Sequence, residues 1–191
     1  MKTINKGELY MRNAKQEIYD IFDELDQYKG YDLSSSVFTF DWHEVDNGLT
    51  NLGYCKMPDI NKDYIECVKK NLYNINLPKS YEEDYLINLY QQLNKFEFNF
   101  TPIVLELPYP YLREIVIHEY AHACCRLVNF SKLKLDSSNP HNKQFVKMVD
   151  DLGGLSTNAN ISDDVYYNDD VFKKAVEVAI SKEKDFIIVK Y

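Results

Sequence analysis

The 191-residue chain predicts an α+β domain: a small, mostly antiparallel sheet packed on an N-terminal helix and on a second, central helix. Three observations carry this expectation. Met11, Ala14, Ile18, Phe22 and Leu25 recur at helical spacing near the N-terminus. Val37 to Trp42 and Leu49 to Met57 read as strands on either side of Asp46-Asn47-Gly48, the turn chemistry of a hairpin. Further on, Leu112, Val116, Tyr120, Ala123 and Leu127 form one apolar helix face, and His118, Glu119 and His122 group away from it.

Taken in order, the first helix covers about Leu9 to Tyr28 and stops at Gly30. After the hairpin, Ile60, Tyr64, Cys67, Val68 and Leu72 fit a helix face, although the segment from Asp59 to Tyr73 is ambiguous. Ser80 reads as an N-cap and Glu83 as its capping-box partner, opening a helix through Tyr85, Leu86, Leu89, Tyr90 and Leu93. Phe98 to Leu107 alternates as a strand, and Pro108 and Pro110 end it and start the central helix. Asn139-Pro140 reads as N-cap and first residue of a helix through Phe145, Met148, Val149 and Leu152, closed by Gly153-Gly154. The stretch through Asp170 is polar and loop-like, Val171 to Ser181 is helical, and Phe186 to Val189 reads as a terminal strand.

The central helix carries the chemistry. His118-Glu119-Tyr120-Ala121-His122 is an H-E-x-x-H sequence. Residues four apart on a helix lie nearly one above the other, so both imidazoles address the same space. Zn²⁺ accepts neutral imidazole nitrogen, and two such arms make half of a tetrahedral site. Glu119 lies about 100° round the helix from His118, placed to act on a water without displacing a ligand.

The third ligand is open at this level. No glutamate occurs between Glu119 and Glu177, and Cys125 and Val128 stand where the longer H-E-x-x-H-x-x-G-x-x-H form needs glycine and histidine. His141 is the remaining downstream histidine, on what reads as the first turn of a short helix. Asp136, Asp150 and Asp151 are weaker substitutes. His43 reads as an ordinary strand-end residue.

An H-E-x-x-H helix followed by a third histidine, with an aromatic residue three to four positions later, resembles the SprT-like (Spartan-type) metallopeptidases. Val37-Phe38-Thr39-Phe40-Asp41-Trp42 resembles the family's first strand, and Leu49-Thr50-Asn51-Leu52-Gly53-Tyr54-Cys55 its "L-x-x-x-L-G-x-C" strand. Ile103-Val104-Leu105-Glu106-Leu107 stands where the family has a strand before the active-site helix. The resemblance covers about residues 37–153 of a single domain spanning 1–191, with 154–191 as a C-terminal extension. It implies a zincin-like fold, zinc held by His118, His122 and His141, and Glu119 as general base in peptide hydrolysis. An extended peptide would pair with the Ile103 to Leu107 edge, and Tyr109, Tyr111 or Arg126 would steady the developing oxyanion. The chain departs from the family at Asn142, where glycine is usual, in a long insertion between Tyr54 and Ile103, and in lacking a cysteine zinc ribbon after Cys125. Two rivals stay open: an H-E-x-x-H peptidase of another lineage with an aspartate third ligand, and a catalytically weak or inactive interaction protein that keeps the metal.

A formal charge of −8 argues against a general nucleic-acid binder, so contact with DNA is expected to be weak or absent. The stretch between Ala123 and Lys147 is a local exception, with Arg126, Lys132, Lys134, Lys143 and Lys147 against Asp136, and reads first as a solvated loop. Cys55, Cys67, Cys124 and Cys125 show no ribbon spacing and read as buried thiols of a reducing compartment. No segment approaches eighteen apolar residues and Met1 to Lys6 lacks an apolar run, so a cytoplasmic protein acting on protein or peptide substrates, with no membrane contact, is the expectation.

Overall fold

The computed structural model describes residues 12–42, 52–58, 60–75, 77–155 and 170–188. Over these the chain is mixed α+β and mostly helical, with one three-stranded sheet. The order is α1 (Ala14–Lys29), β1 (Val37–Thr39), β2 (Gly53–Lys56), α2 (Lys62–Ile75), α3 (Lys79–Leu93), β3 (Glu97–Phe100), α4 (Pro102–Glu106), α5 (Tyr109–Ser131), α6 (Lys143–Asp151) and α7 (Asp170–Ile188). His43 and the Asp46-Asn47-Gly48 turn lie outside the described residues.

Helix α1 begins as its composition requires. Asn13 Oδ1 accepts the Gln16 amide at 3.2 Å, satisfying one orphan N–H of the first turn. Its apolar stripe, Ala14, Ile18, Ile21, Phe22 and Leu25, is buried. Phe22 meets Phe38, Phe98 and Tyr120 edge to face, at 4.7, 4.6 and 5.3 Å between ring centres, and so joins helix, sheet and α5 in one core.

The sheet corrects the expected hairpin. Its strand order is β1-β3-β2, so β3 separates the two strands expected to pair. β1 runs parallel to β3 (Val37 opposite Glu97, Thr39 opposite Asn99) and β2 antiparallel to it (Gly53 opposite Phe100, Lys56 opposite Glu97). The sheet is therefore mixed, not mostly antiparallel. The physical reason is burial: Phe98 and Phe100 are fully withdrawn from solvent, and between them Asn99 Nδ2 donates to Thr39 Oγ1 at 2.7 Å across to β1, which suits a central strand.

Three other expectations change. The strand expected over Phe98 to Leu107 ends at Phe100, and Ile103 to Glu106 lie in α4. Pro102 stands at its start, where a missing N–H costs nothing and the fixed φ suits a helix. Pro78, not Ser80, caps α3, without a side-chain hydrogen bond. Phe186, Ile187 and Ile188 continue helix α7 instead of forming a strand. α4 packs on α7, and Lys182 Nζ meets Glu106 Oε1 at 2.6 Å. α5 is the axis of the fold, touching α1, α3, α4, α6 and β2. No helix among the described residues is long and apolar enough to cross a membrane.

Candidate metal centre

The rotation of α5 about its own axis decides where its histidines point, and buried polar anchoring sets that rotation. Tyr120, fully buried, donates its hydroxyl to Asp26 Oδ1 on α1 at 2.8 Å. Asp26 Oδ2 accepts the Ser34 amide at 2.6 Å, so the carboxylate is held from two sides. Leu112, Val116, Ala123 and Leu127 complete the packed face, as their spacing predicts. His118 and His122 are left half-buried, one turn apart, on the side that faces α6.

His141 joins them. The three Nε2 atoms stand 3.2 Å (His118–His122), 3.1 Å (His118–His141) and 3.2 Å (His122–His141) apart, a nearly equilateral triangle. Four-coordinate zinc with nitrogen at roughly 2.0–2.1 Å sets its ligand atoms about 3.3–3.4 Å apart, so the triangle fits such an ion. The donor set tests the fit independently. Three neutral imidazoles aiming ring nitrogens at one point cannot satisfy one another by hydrogen bonds, whereas one cation accepts all three lone pairs. Burial holds His118 down to about 4 and, with the neighbouring rings adding to it, His122 to about 3; His141 is also lowered by burial. His118 and His122 therefore stay neutral, the form that ligates, well below neutral pH, and the shift of His141 runs in the same direction. Phe145 packs beneath the cluster, stacked on His122 at 4.3 Å and edge-on to His118 and His141 at 4.9 Å each.

His141 is not on the first turn of a helix. It lies in the turn before α6, and Asn142, not Asn139, is the N-cap, accepting the Gln144 and Phe145 amides at 2.8 and 3.2 Å. Asn139 instead accepts the His141 amide at 3.0 Å and shapes the turn that carries the ring. The asparagine that stands where the resembled family has glycine therefore starts α6. The loop is tied back to α5 by Asp136, which receives Asn129 Nδ2 at 2.9 Å and pairs with Arg126 Nε. Arg126 also donates from Nη1 to Pro58 O at 2.7 Å. Its guanidinium is thus a clamp between two loops and not a free rim cation.

Glu119 is buried against β2. A Cβ added to Gly53 would stand 3.1 Å from Glu119 Cγ and 3.1 Å from Asn99 O, so any larger residue would require the glutamate or the neighbouring strand to give by a few tenths of an ångström. Burial pushes the Glu119 carboxyl up to about 8, and the Cys55 backbone N–H, bonded to it, pulls the other way. A divalent cation at the triad would act on the same carboxyl as an opposite charge and favour its ionised form. Gly154 serves the other side: its Cβ would meet Ile117 Cγ2 at 2.8 Å and Val149 Cγ1 at 2.9 Å, so α6 closes on α5 beside His118 only because residue 154 has no side chain.

The structure therefore brings His118, His122 and His141 together, with Glu119 on the same helix turn. It does not add the aspartates. Asp151 is paired with Lys29 at 2.6 Å and Asp136 with Arg126, and among the described residues the metal-competent cluster contains histidines alone. Tyr109 and Tyr111 sit on the first turn of α5, about two turns before His118. Ile103 to Leu107 offers no pairing edge, since α4 is helical. The four cysteines are free; Cys124 is buried, Cys55 and Cys125 half-buried, and Cys67 exposed against expectation. Sequence reasoning placed Phe145 in an apolar stripe and missed its contact with the rings, for which its position four residues after His141 was the signal. It missed Gly53 as the neighbour of Glu119 entirely.

No protein-family model matches the chain. No curated protein and no solved structure matches it either. What fold and site define is a mixed α+β chain in which three of the four histidines, His118, His122 and His141, lie close enough to bind a metal ion.

Proposed function

We propose that this chain is a zinc-dependent endopeptidase of SprT-like type on a zincin-like fold, with His118, His122 and His141 as ligands. The observation that carries the reading is the convergence of three neutral imidazole nitrogens within 3.2 Å on a helix that also bears a buried glutamate one residue after the first of them. A site that only held metal for stability would be closed by a fourth ligand and would need no base. When bound, zinc supplies a water of lowered pKa and polarises the scissile carbonyl.

The chain's own residues do the rest. Glu119 takes the proton of the attacking water and delivers it to the leaving amine, and the Cys55 amide with the close passage of Gly53 restricts where its carboxylate stands. Tyr120 and Asp26 hold the rotation of α5, Phe145 keeps the rings in place, and the Arg126–Asp136 clamp brings His141 onto the other two. Substrates are proteins or peptides. With a net charge of −8 the chain engages DNA weakly at physiological salt, and its activity depends little on DNA.

Cleavage of an unfolded protein such as casein, compared between zinc-loaded wild type and Glu119→Gln, tests the reading. The variant is nearly isosteric, so it keeps its zinc while turnover falls by about 10²–10⁴-fold. Undiminished cleavage by Glu119→Gln removes the glutamate from the mechanism. Inert but zinc-loaded wild type favours a metal-bearing interaction protein instead.

A further inference from the structure

Between the C-terminal half of α5 and the exposed stripe of α6 lies a groove of about 490 Å³. Lys132, Lys134 and Lys147 line it, and none of the three is in an ion pair among the described residues. Its one carboxylate, Asp151, is paired with Lys29 at 2.6 Å and lies also in the field of Lys147. Gln144 also lines the groove, and its Nε2 is buried with no hydrogen-bond partner. Three ammonium groups lining one groove call for a counter-charge, and an oxyanion bound there neutralises them through charge-assisted hydrogen bonds. On a chain of net charge −8 such a concentration of unpaired cations is local, not a general property of the surface.

The groove is in register with the histidine cluster. Asn129, another of its lining residues, is seven positions after His122 on α5. It therefore faces within about 20° of the same direction, about 10 Å further along the helix. An extended peptide covers that distance in about three residues. The α6 side agrees, since Gln144 follows His141 by three positions.

The geometry points to this groove as a subsite for an anionic side chain of a peptide (glutamate, aspartate or phosphoserine) bound about three residues from the bond at the triad. Only that distance rests on the peptidase reading; the anion site itself rests on the groove. Nucleic acid fits less well, because a phosphate backbone needs cations in a continuous track, and this groove is interrupted by the Asp151 carboxylate.

The test uses the 191-residue Glu119→Gln chain loaded with zinc, so that no probe is cut. Fluorescence anisotropy at about 0.15 M salt compares three labelled ten-residue peptides: one with three consecutive glutamates, one with phosphoserine, and one with glutamines in their place. The two anionic peptides bind at least about tenfold more tightly than the glutamine peptide. Combined Lys132→Gln, Lys134→Gln and Lys147→Gln removes the difference, whereas Lys70→Gln with Lys174→Gln leaves it. Should the triple variant not fold, the single reversal Lys147→Glu at an exposed position still weakens the anionic peptides selectively. Equal binding of all three peptides overturns the proposal, as does a single-stranded oligonucleotide displacing the glutamate peptide at lower concentration than the peptide itself. Mapping the wild-type cleavage sites separates the two readings. Cleavage indifferent to acidic residues three positions away sinks the subsite alone; retained discrimination by a chain that cuts nothing leaves the anion site standing and removes the peptidase.

Discussion

His118 and His122 stand on a helix whose opposite face is almost wholly withdrawn from solvent, while His141 stands on an exposed turn held by hydrogen bonds. The helical half is placed by packing: Tyr120, Phe22 and the aliphatic stripe leave α5 one rotation, and both rings follow from it. The loop half is placed by polar contacts, with Asn139, Asn142, Asn129, Arg126 and Asp136 each contributing a bond that water competes for. Such a site keeps two ligands ready whether or not metal is present and gains the third from a segment that a few substitutions can loosen. Metal affinity is therefore adjustable through the loop without disturbing the core.

The largest effect comes from removing ligands. His118→Ala, His122→Ala and His141→Ala each leave two imidazoles, and zinc occupancy after dialysis, read by metal analysis, falls to near background in all three. All three rings touch Phe145, but His141 stands on an exposed turn while His118 and His122 are half-buried on α5, so His141→Ala leaves the melting temperature of the metal-free chain closest to wild type. Full zinc affinity in His141→Ala would break the comparison by removing its loop half.

Next in size is the clamp. Asp136→Asn removes the Arg126 pair and leaves the turn tied by weaker bonds. Zinc affinity is expected to fall about tenfold or more, as for other residues that orient a ligand from outside, while the fold of the metal-free chain is retained. Competition with a chelator measures it; an affinity unchanged from wild type would mean that the turn holds His141 unaided.

A third effect isolates Glu119 in the metal-free chain. Its folded pKa, raised to about 8, lies above the unfolded value, so the folded state holds a proton that the unfolded state releases. Stability is therefore present at low pH and is lost as pH rises, by up to about 1.4 kcal/mol per pH unit through the range below 8. His118 and His122 act in the opposite sense and lower down: their depressed values make stability fall as pH drops below about 6.5 towards 4. Between pH 6.5 and 8 only the glutamate contributes among these three, and Glu119→Gln flattens that part of the curve. Denaturant titrations in a chelator at pH 6.5 and 8 decide it; an equal slope in wild type and variant refutes the assignment.

The smallest expected effect is at the cap. Asn142→Ala removes the acceptor for two first-turn amides of α6 and costs about 1 kcal/mol of stability. Zinc affinity should fall less than for Asp136→Asn, because His141 keeps its own bond to Asn139.

Much of the site was legible in the chain. The i, i+4 spacing of His118 and His122 on an apolar-backed helix needs only helix geometry, and His141 followed from counting histidines beyond it. The loop was less so: Asn139 before Pro140 reads as the N-cap, but Asn142 takes that role where the chain must turn to bring His141 to α5. The hairpin misled for a similar reason. Val37 to Trp42 and Leu49 to Met57 favour pairing locally, but the strand with the most buried aromatics, β3, takes the centre and parts them. In Phe98 to Leu107 the alternation concealed Pro102, whose helical preference prevails as soon as Phe100 has been packed.

The sequence by itself determined the elements whose geometry is local: the periods of α1 and α5, the shared direction of two imidazoles, the position of a glutamate between them. These depend on contacts within a few residues and are written in spacing. The tertiary structure alone decided the strand order, the passage of Gly53 past Glu119, the closure of Gly154 on Ile117 and the Arg126–Asp136 tie that brings the third histidine home. Each of these joins residues distant in sequence, and which distant groups meet is settled by the shared burial of the whole core, which no local pattern encodes.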